Sequence, residues 1–210
     1  NAYAGGAAVA EDASTVFYNP AGMTRLAGER EFSVGMNIVR PSMQFSNNGS
    51  SLPALTTTGT GDGGDAGGFN FVPNGYIAIK IDPKLSIGFG FGAPFGLRTD
   101  YDGGWYGRFL ALKSDIKTYN LNPSIAYQVS DKLSLGFGVN YQKLEATLTN
   151  AVNFSGALAT ATGGTTLIPN LGGVGSVQAD SWAWGWNAGA LFQVSETTRV
   201  GVAYRSKIKH

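Results

Sequence analysis

The side chains that most often carry out covalent chemistry in proteins are nearly absent from this sequence. It contains no cysteine, and its single histidine, His210, is the last residue. Disulfides and thiolate metal sites are therefore excluded, and a metal site or general base built on histidine is not expected. No nucleophile and base stand at a recognisable spacing, and the run Gly88–Gly92 misses the glycine spacing of a nucleotide-binding loop. The sequence predicts a protein that is not an enzyme and that uses no metal or cofactor.

The composition differs from that of a soluble domain. Charged residues make up 14% of the chain, against roughly 25% in soluble domains. Aromatic residues reach 12% and there are 31 glycines, yet the mean hydropathy is only -0.04. No run of about 18 apolar residues could cross a membrane as a helix, and the net charge of +1 gives no support for nucleic-acid binding. This balance indicates strands with one apolar face and one small or polar face.

Period-2 alternation is clearest between Lys132 and Tyr141. Leu133, Leu135, Phe137, Val139 and Tyr141 alternate there with Ser134, Gly136, Gly138, Asn140 and Gln142. Ten residues of this pattern predict a strand. Similar alternation predicts six further strands, at 31–38, 76–81, 85–92, 119–129, 182–194 and 199–209. In a soluble sandwich the apolar faces would form a core, whereas in an outer-membrane barrel they would face lipid.

The connections between these strands favour the barrel. Three are tight turns, at 82–84, 130–132 and 195–198, and they alternate with three long loops at about 46–68, 96–114 and 149–179. Short turns at one end and long loops at the other are typical of bacterial membrane barrels. Seven strands are an odd number, and an open sheet would leave unpaired edges in lipid. We therefore expect an all-β, antiparallel transmembrane barrel, present as a fragment whose last strand is truncated.

The segment that precedes the strands has a different composition. Asn1–Met23 is rich in glycine and alanine, and it ends in the turn Asn19-Pro20-Ala21-Gly22. Such a segment is either a flexible leader or a plug whose small residues fit inside a ring of strands. We predict a hatch over 1–28 that lacks its first residues, followed by the first half of the barrel wall over 29–210.

Two segments suggest binding or passage of an apolar molecule. Proline lacks a ladder donor, so Gly92, Pro94 and Gly96 predict a kink in the third strand, unless Pro94 simply ends that strand at the rim. In the second long loop, Trp105, Tyr106, Phe109, Leu110 and Leu112 predict an exposed capture groove. The alternatives are a loop packed on its own side chains or one in contact with lipopolysaccharide.

Trp182, Trp184 and Trp186 are expected in an aromatic girdle.

Several motifs together resemble the FadL family of outer-membrane long-chain fatty-acid transporters, some of whose members carry neutral aromatic hydrocarbons. They are Asn1-Ala2-Tyr3-Ala4-Gly5-Gly6, Glu11-Asp12-Ala13, Asn19-Pro20-Ala21, Trp184-Gly185-Trp186-Asn187-Ala188-Gly189 and Tyr204-Arg205-Ser206. The resemblance covers all 210 residues. It implies a fourteen-strand barrel plugged by an N-terminal hatch, of which this chain would supply about seven strands.

The resemblance also implies roles for individual residues. The inward bend of the third strand would open the wall at Gly92, Pro94, Phe95 and Gly96, and Asn19, Pro20 and Ala21 would form the hatch gate. The substrate pocket would include Leu148, Val177 and Phe17. The family's basic residue for the substrate carboxylate falls at Asn150, which is not basic. Lys143, Arg205 and Lys207 are candidates to replace it.

We therefore expect passive uptake of hydrophobic molecules across the bacterial outer membrane by hatch rearrangement and lateral exit. The expected partners are a fatty acid or aromatic hydrocarbon, outer-membrane lipid and lipopolysaccharide, but not nucleic acid. The full-length protein is expected to be a monomer. The alternative is a structural or adhesive barrel whose outer loops bind a partner or phage; an adhesin has no need of an inner plug.

Overall fold

The computed structural model describes residues 5–53, 55, 56, 59 and 61–210, so the first four residues of the hatch motif lie outside it. One antiparallel sheet contains all the named strands, in the order β1-β2-β3-β5-β6-β7-β8, with β4 pairing β5 beyond the end of β3. Their bounds are β1 Arg30–Val39, β2 Asn70–Lys80, β3 Leu85–Gly92, β4 Gly96–Asp100, β5 Lys113–Gln128, β6 Leu133–Asn153, β7 Gly172–Gln193 and β8 Arg199–Arg205. Because β3 and β4 pair with successive parts of β5, the wall has the seven strands that the alternation predicts.

The two faces of the sheet differ as predicted. Bulky side chains on the outer face are exposed, and Val34 and Trp184 reach 87% and 66% exposure in the isolated chain. On the inner face, Ser134 and Asn140 are completely buried. Tyr141 stacks on Trp182 at 4.4 Å between ring centroids, within the predicted aromatic girdle. An apolar outer face and a small, polar inner face are the arrangement of a membrane barrel wall.

Among the described strands, β1 pairs only with β2 and β8 only with β7, so the sheet forms an open half-barrel. The three tight turns join β2 to β3, β5 to β6 and β7 to β8, which places all of them at one end. No helix within the described part of the chain is long and apolar enough to cross a membrane.

The third outer loop is much shorter than predicted. The sequence predicts a loop over 149–179, but β6 continues to Asn153 and β7 begins at Gly172, with helix α3 (Phe154–Ala161) between them. The added strand residues are mostly Thr, Asn, Gly, Ser and Gln. They carry no apolar alternation because this part of the wall extends beyond the apolar band, where both faces meet water. The last strand also differs, since β8 ends at Arg205 and Ile208 lies against Gly185 on the inner face.

The N-terminal segment packs on the inner face of the wall. It contains α1 (Gly6–Val9), α2 (Thr15–Tyr18) and a 3₁₀ helix (Pro20–Arg25). Val16 and Met23 are buried against the wall residues Ala78 and Ala126 in one apolar cluster. We call residues 5–26 the hatch, and its compact packing differs from that of a flexible leader.

Candidate functional site

The hatch lies on a row of wall glycines that face inward. A Cβ atom on Gly136 of β6 would overlap the backbone of Pro20 and Ala21, and one on Gly189 of β7 would overlap the Asn19 side chain. A Cβ on Gly201 of β8 would likewise overlap the carbonyl of the hatch residue Ala7. These positions need glycine because the hatch approaches the wall too closely for any other side chain, through its backbone at Gly136 and Gly201 and through the Asn19 side chain at Gly189.

Asn19 is the central polar residue of the hatch turn. It is completely buried, and its Nδ2 donates to the carbonyl oxygens of Ala7 at 2.6 Å and of Ala190 in β7 at 3.1 Å. Its Oδ1 accepts from the amide of Ala21 at 3.1 Å and so caps the 3₁₀ helix. Asn19 therefore joins two parts of the hatch to each other and to the wall.

Three cationic side chains of the wall bind hatch carbonyls. Lys80 Nζ donates to Leu26 O at 2.5 Å, and Arg199 Nη1 donates to Val9 O at 3.0 Å. Arg205 Nη2 donates to Phe17 O at 2.7 Å, and its guanidinium lies 4.1 Å from the centroid of the Phe17 ring. Each carbonyl lies at or near the end of one short hatch helix, where carbonyls lack partners within the helix. The wall thus satisfies backbone groups that the hatch leaves open.

The wall is interrupted between β3 and β4. Gly92 pairs with Asn120 and Gly96 pairs with Lys117, so three residues on one strand face two on β5. This is a β-bulge with one extra residue, which bends the strand. The ladder between β2 and β3 ends at Asn74 and Gly92, and β4 pairs only with β5 among the described strands. The upper part of β2 is therefore separated from β4.

A cavity of about 270 Å³ lies at this separation. Tyr76 and Asn74 line it from the inner face, whereas Pro73 and Phe91 belong to the outward-facing set of β2 and β3. The hatch contributes Phe17 to the same cavity. The remaining lining residues are Tyr18, Asn37, Val72, Gly90, Gly92, Ala93, Pro94, Asn120 and Asn122. One space therefore contacts the hatch, the wall interior and residues of the lipid-facing side.

The predicted pocket residues separate into two places. Leu148 and Val177 are direct cross-strand partners on the inner face, and Asn150 follows two residues beyond Leu148. Phe17 does not join them, because it lies beside Arg205, which also contacts Asn140. Asn140 is eight residues before Leu148 in β6, or roughly 26 Å of strand. Asn150 Nδ2 donates to Phe109 O at 3.3 Å and so supports the second outer loop.

The three candidate carboxylate partners have different surroundings. Strand alternation places Lys143 on the outer face, where it pairs with Glu145 at 2.6 Å and lies over the Trp182 ring. Its role as a carboxylate partner stays a prediction. Lys207 is exposed beyond the end of β8. Arg205 is inside the wall, but it already donates to Asn140 and Phe17. None of the three lines the cavity at the wall separation.

The second outer loop is packed around Trp105, so the prediction that Trp105 belongs to an exposed groove is wrong. Trp105 is only 8% exposed, stacks on Tyr101 at 4.0 Å and donates from Nε1 to Ala111 O at 2.8 Å. Tyr101 and Phe45 both pack on the Trp105 ring, which gives this glycine-rich loop an apolar centre around which it folds. Leu110 is 88% exposed, and Phe109 lines an outer cavity of about 340 Å³ between the second and third loops.

The first outer loop is organised by Asp65, and this contact predicts a pH response. Its carboxylate accepts from the amides of Met43 at 2.8 Å and Gly67 at 3.0 Å and from Ser42 Oγ at 2.8 Å. These donors, Met43 first, lower the pKa of Asp65 below its ordinary value of 3.8. A lowered pKa in the folded state stabilises the loop above the ordinary value, and that stabilisation is lost as the pH falls through the folded pKa.

We expect Asp65→Asn to reproduce the acid state at pH 7. Hydrogen exchange at the Met43 and Gly67 amides should become severalfold faster, while exchange in β1 and β2 stays unchanged. Asp62→Asn is the matched control, because Asp62 accepts a weaker bond, from the Asn47 amide at 3.2 Å. Equal exchange in wild-type and Asp65→Asn proteins would contradict the role of Asp65.

Sequence reasoning missed the inner amide side chains near the hatch. Asn120, Asn122, Asn140 and Asn187 lie on the inner faces of β5, β6 and β7, and all four are nearly or completely buried. Each already stands at a small or polar position of a predicted strand, so their common face was readable. Their contact with one another was not, because it depends on cross-strand register.

The fold and site define a plugged membrane barrel: an antiparallel wall with an apolar outer face and a compact N-terminal hatch on its inner face. Sequence comparison then identifies the family. The sequence model described as "Outer membrane protein transport protein (OMPP1/FadL/TodX)" matches residues 1–210, and the chain belongs to this family. Its members are outer-membrane transport proteins rather than enzymes. The predicted family, the predicted outer-membrane location and the prediction that the protein is not an enzyme are therefore confirmed.

Curated relatives agree with this assignment. The chain is 34% identical over 233 residues to outer membrane protein P1 of Haemophilus influenzae, covering 99% of the chain and 50% of that protein. It is 27% identical over 227 residues to the long-chain fatty acid transport protein of Escherichia coli K12, covering 99% and 49%. The chain thus spans about half the length of the curated relatives it matches.

Solved structures show the same fold. A Pseudomonas aeruginosa FadL homologue matches with a TM-score of 0.74 and 26% identity, covering 97% of this chain and 49% of that one. The Pseudomonas putida toluene transporter TodX matches with a TM-score of 0.63 and 16% identity, covering 92% and 51%. The predicted antiparallel barrel with an N-terminal hatch is therefore confirmed as the fold class.

Proposed function

We propose that this chain forms the hatch and about half of the wall of an outer-membrane channel for passive uptake of hydrophobic molecules. The observation that carries the proposal is the cavity at the separation of β2 from β4, which contacts the hatch, the wall interior and outward-facing residues. A molecule in this cavity has a route between the barrel interior and the membrane. The fatty-acid and toluene transporters among the matched proteins support this class of substrate.

The physical need for such a route comes from the cost of hydrating an apolar molecule. Each exposed methylene costs about 0.8 kcal/mol in water, so a long acyl chain is poorly served by a water-filled pore. A lateral exit keeps the molecule in apolar surroundings from the cavity to the lipid. In this proposal Gly92, Pro94, Phe95 and Gly96 form the opening, because they contain or border the bulge.

The hatch supplies the gate in this proposal. Asn19, Pro20 and Ala21 lie against Gly136 and Gly189, while Phe17, two residues before Asn19, lines the cavity. A substrate that displaces Phe17 therefore acts on the segment that carries the gate. Leu148 and Val177 would form an earlier apolar contact higher in the barrel, and Phe109 and Leu110 would contact substrate at the outer loops.

The charge pattern favours neutral hydrophobic molecules over carboxylates. Asn150 replaces the basic residue implied by the family, and the described residues that line the cavity at the wall separation include no Lys or Arg. Aromatic hydrocarbons meet this requirement better than ionised fatty acids. Contact with lipopolysaccharide and a monomeric state stay predictions for the full-length protein.

Growth of a deletion strain tests the function. The strain is supplied with oleate or toluene as its carbon source, with and without the full-length protein that contains this chain. We expect the protein to restore growth on at least one of them. Rescue on neither would remove the transport proposal and leave the adhesive or structural barrel as the better explanation.

Removing the extra bulge residue tests the lateral exit. Deletion of Ala93 leaves two residues between Gly92 and Gly96 opposite two residues of β5, so β3 and β4 can form one regular strand. We expect uptake to fall by about tenfold, which corresponds to about 1.4 kcal/mol in the transport barrier. Ala93→Ser keeps the chain length and is the control. Unchanged uptake after the deletion, in a protein that still folds, would exclude this exit.

A further inference from the structure

Four asparagines and one arginine form a connected network on the inner wall. Asn120 Nδ2 donates to Asn140 Oδ1 at 3.0 Å, and Asn140 Nδ2 donates to Asn187 Oδ1 at 2.9 Å. Asn122 Nδ2 donates to Asn187 Oδ1 and to Val139 O, both at 2.9 Å. Arg205 Nη1 donates to Asn140 Oδ1. The network links β5, β6, β7 and β8.

Arg205 fixes the direction of every amide in this network. A guanidinium only donates hydrogen bonds, so the Asn140 atom that faces it must be the oxygen. Asn140 Nδ2 then has to donate to Asn187, whose oxygen also receives the Asn122 amide. The same reasoning makes Asn120 a donor to Asn140. Neither Asn120 nor Asn122 can turn its amide around without placing two donors or two acceptors together.

This fixed direction leaves two acceptors without donors. Among the described residues, four buried side-chain atoms have no hydrogen-bond partner: Asn120 Oδ1, Asn122 Oδ1, Ser124 Oγ and Asn187 Nδ2. Ser124 and Asn187 surround Gly138 and do not line the cavity at the wall separation. Asn120 and Asn122 do line it, and they are 3% and 1% exposed. Leaving a buried acceptor unpaired is unfavourable, and such atoms in folded proteins call for an explanation.

We propose that this cavity selects hydrophobic molecules that carry one neutral hydrogen-bond donor, such as the hydroxyl of an alkylphenol. The hydroxyl would donate to Asn122 Oδ1 or Asn120 Oδ1, while the ring and alkyl group contact Phe17, Tyr76 and Phe91. This specificity rests on the proposed uptake function and defines its substrate class more closely.

The chemistry of the lining residues separates this class from two others. An ionised carboxylate offers only acceptors, so it would face the amide oxygens without a cation to compensate. A hydrocarbon fits the apolar walls but leaves both oxygens unpaired. Both oxygens are buried in this conformation, and Phe17 and Tyr18 of the hatch form part of the same cavity wall. Displacement of the hatch therefore changes access to them.

Three ligands of matched shape test the proposal: 4-butylphenol, 4-butyltoluene and 4-butylbenzoate. Uptake is measured in cells that lack general porins and express the full-length protein, relative to cells without it. We expect the phenol to be taken up about fivefold more efficiently than the toluene, the effect of about one hydrogen bond, and the benzoate least. Asn122→Leu should reduce the preference for the phenol, and Asn122→Leu combined with Asn120→Leu should abolish it, while uptake of the toluene persists.

Asn37→Leu is the matched control, because Asn37 lines the same cavity without belonging to the network. Its phenol preference should equal that of the wild type. Asn120→Leu is a second variant in case Asn122→Leu does not fold, and the wild-type preference stands as a test independent of both. Equal uptake of phenol and toluene, or preferred uptake of benzoate, would overturn this proposal while leaving hydrophobic uptake intact. Uptake of none of the three would overturn both.

Discussion

Alanine in place of Gly136 is expected to displace the hatch from the wall. The added Cβ would overlap the backbone of Pro20 and Ala21, not the flexible end of a side chain. Neither partner can yield locally, because Gly136 is paired on both sides, with Ala126 of β5 and Gly189 of β7, and Pro20 begins the 3₁₀ helix. Overpacking of a buried site costs about 1–3 kcal/mol, which raises the population of a displaced hatch by about 5- to 150-fold.

The absence of cysteine in these 210 residues makes this expectation measurable. Val16→Cys introduces a reporter that is completely buried between hatch and wall, away from Gly136. In an otherwise cysteine-free protein, maleimide labelling of this thiol should be slow when residue 136 is glycine. With Gly136→Ala the labelling rate should rise by about 5- to 150-fold, in proportion to the population of displaced hatch. Gly75→Ala is the control, because a Cβ there meets only Val34 Cγ1 at 3.7 Å. Equal labelling rates with Gly136 and with Gly136→Ala would show that the position of the hatch does not depend on the inward-facing glycines.

The strands were predictable from sequence wherever one face meets lipid. Between Leu133 and Tyr141 the alternation follows from two solvents, lipid outside and a filled interior inside, and the structure confirms it. Beyond Tyr141 the same strand continues for twelve residues to Asn153. There the outer face carries Lys143 and Glu145, because water replaces lipid. Hydrophobic periodicity reports the surroundings of a strand, so it ended where the lipid ended and not where the strand did.

The site was predictable only in part, for a related reason. Gly92, Pro94 and Gly96 signalled an irregular strand through backbone chemistry that is local to the sequence. Which residues line the cavity depends on the register between β3 and β5 and on the position of the hatch. Both are set by contacts between residues that are far apart in the sequence. Trp105 shows why local sequence was not enough. The apolar residues of its loop suggested an exposed groove, but the loop folds around the Trp105 ring and buries it. Arg205 was selected for its charge, whereas its contacts with Phe17 and Asn140 make it a support for the hatch and the amide network.

A reversible crosslink between hatch and wall is expected to abolish uptake if hatch movement is required. Thr24 Oγ1 of the 3₁₀ helix donates to Ser134 Oγ of β6 at 2.7 Å, and both residues are buried. Replacing both by cysteine, as Thr24→Cys and Ser134→Cys, places two sulfur atoms near the positions of these oxygens. The oxygens are 2.7 Å apart, so a small shift brings the sulfur atoms to the S–S bond length of roughly 2.05 Å. The bond would tie the segment after Ala21 to the strand that carries Gly136.

Oxidised cells should then lose uptake by about a hundredfold, equivalent to about 2.7 kcal/mol in the barrier, and a reductant should restore it. Each single cysteine variant is a control, because it loses the hydroxyl pair without forming the bond. Comparing oxidised with reduced protein distinguishes a mobile hatch from a fixed one. The wall separation between β2 and β4 is present in both proteins. If the hatch does not move during transport, the crosslink changes nothing and the two proteins are equally active. Equal activity would therefore retain the lateral exit and remove the gate, since Asn19, Pro20 and Ala21 would then serve only to hold the plug in place.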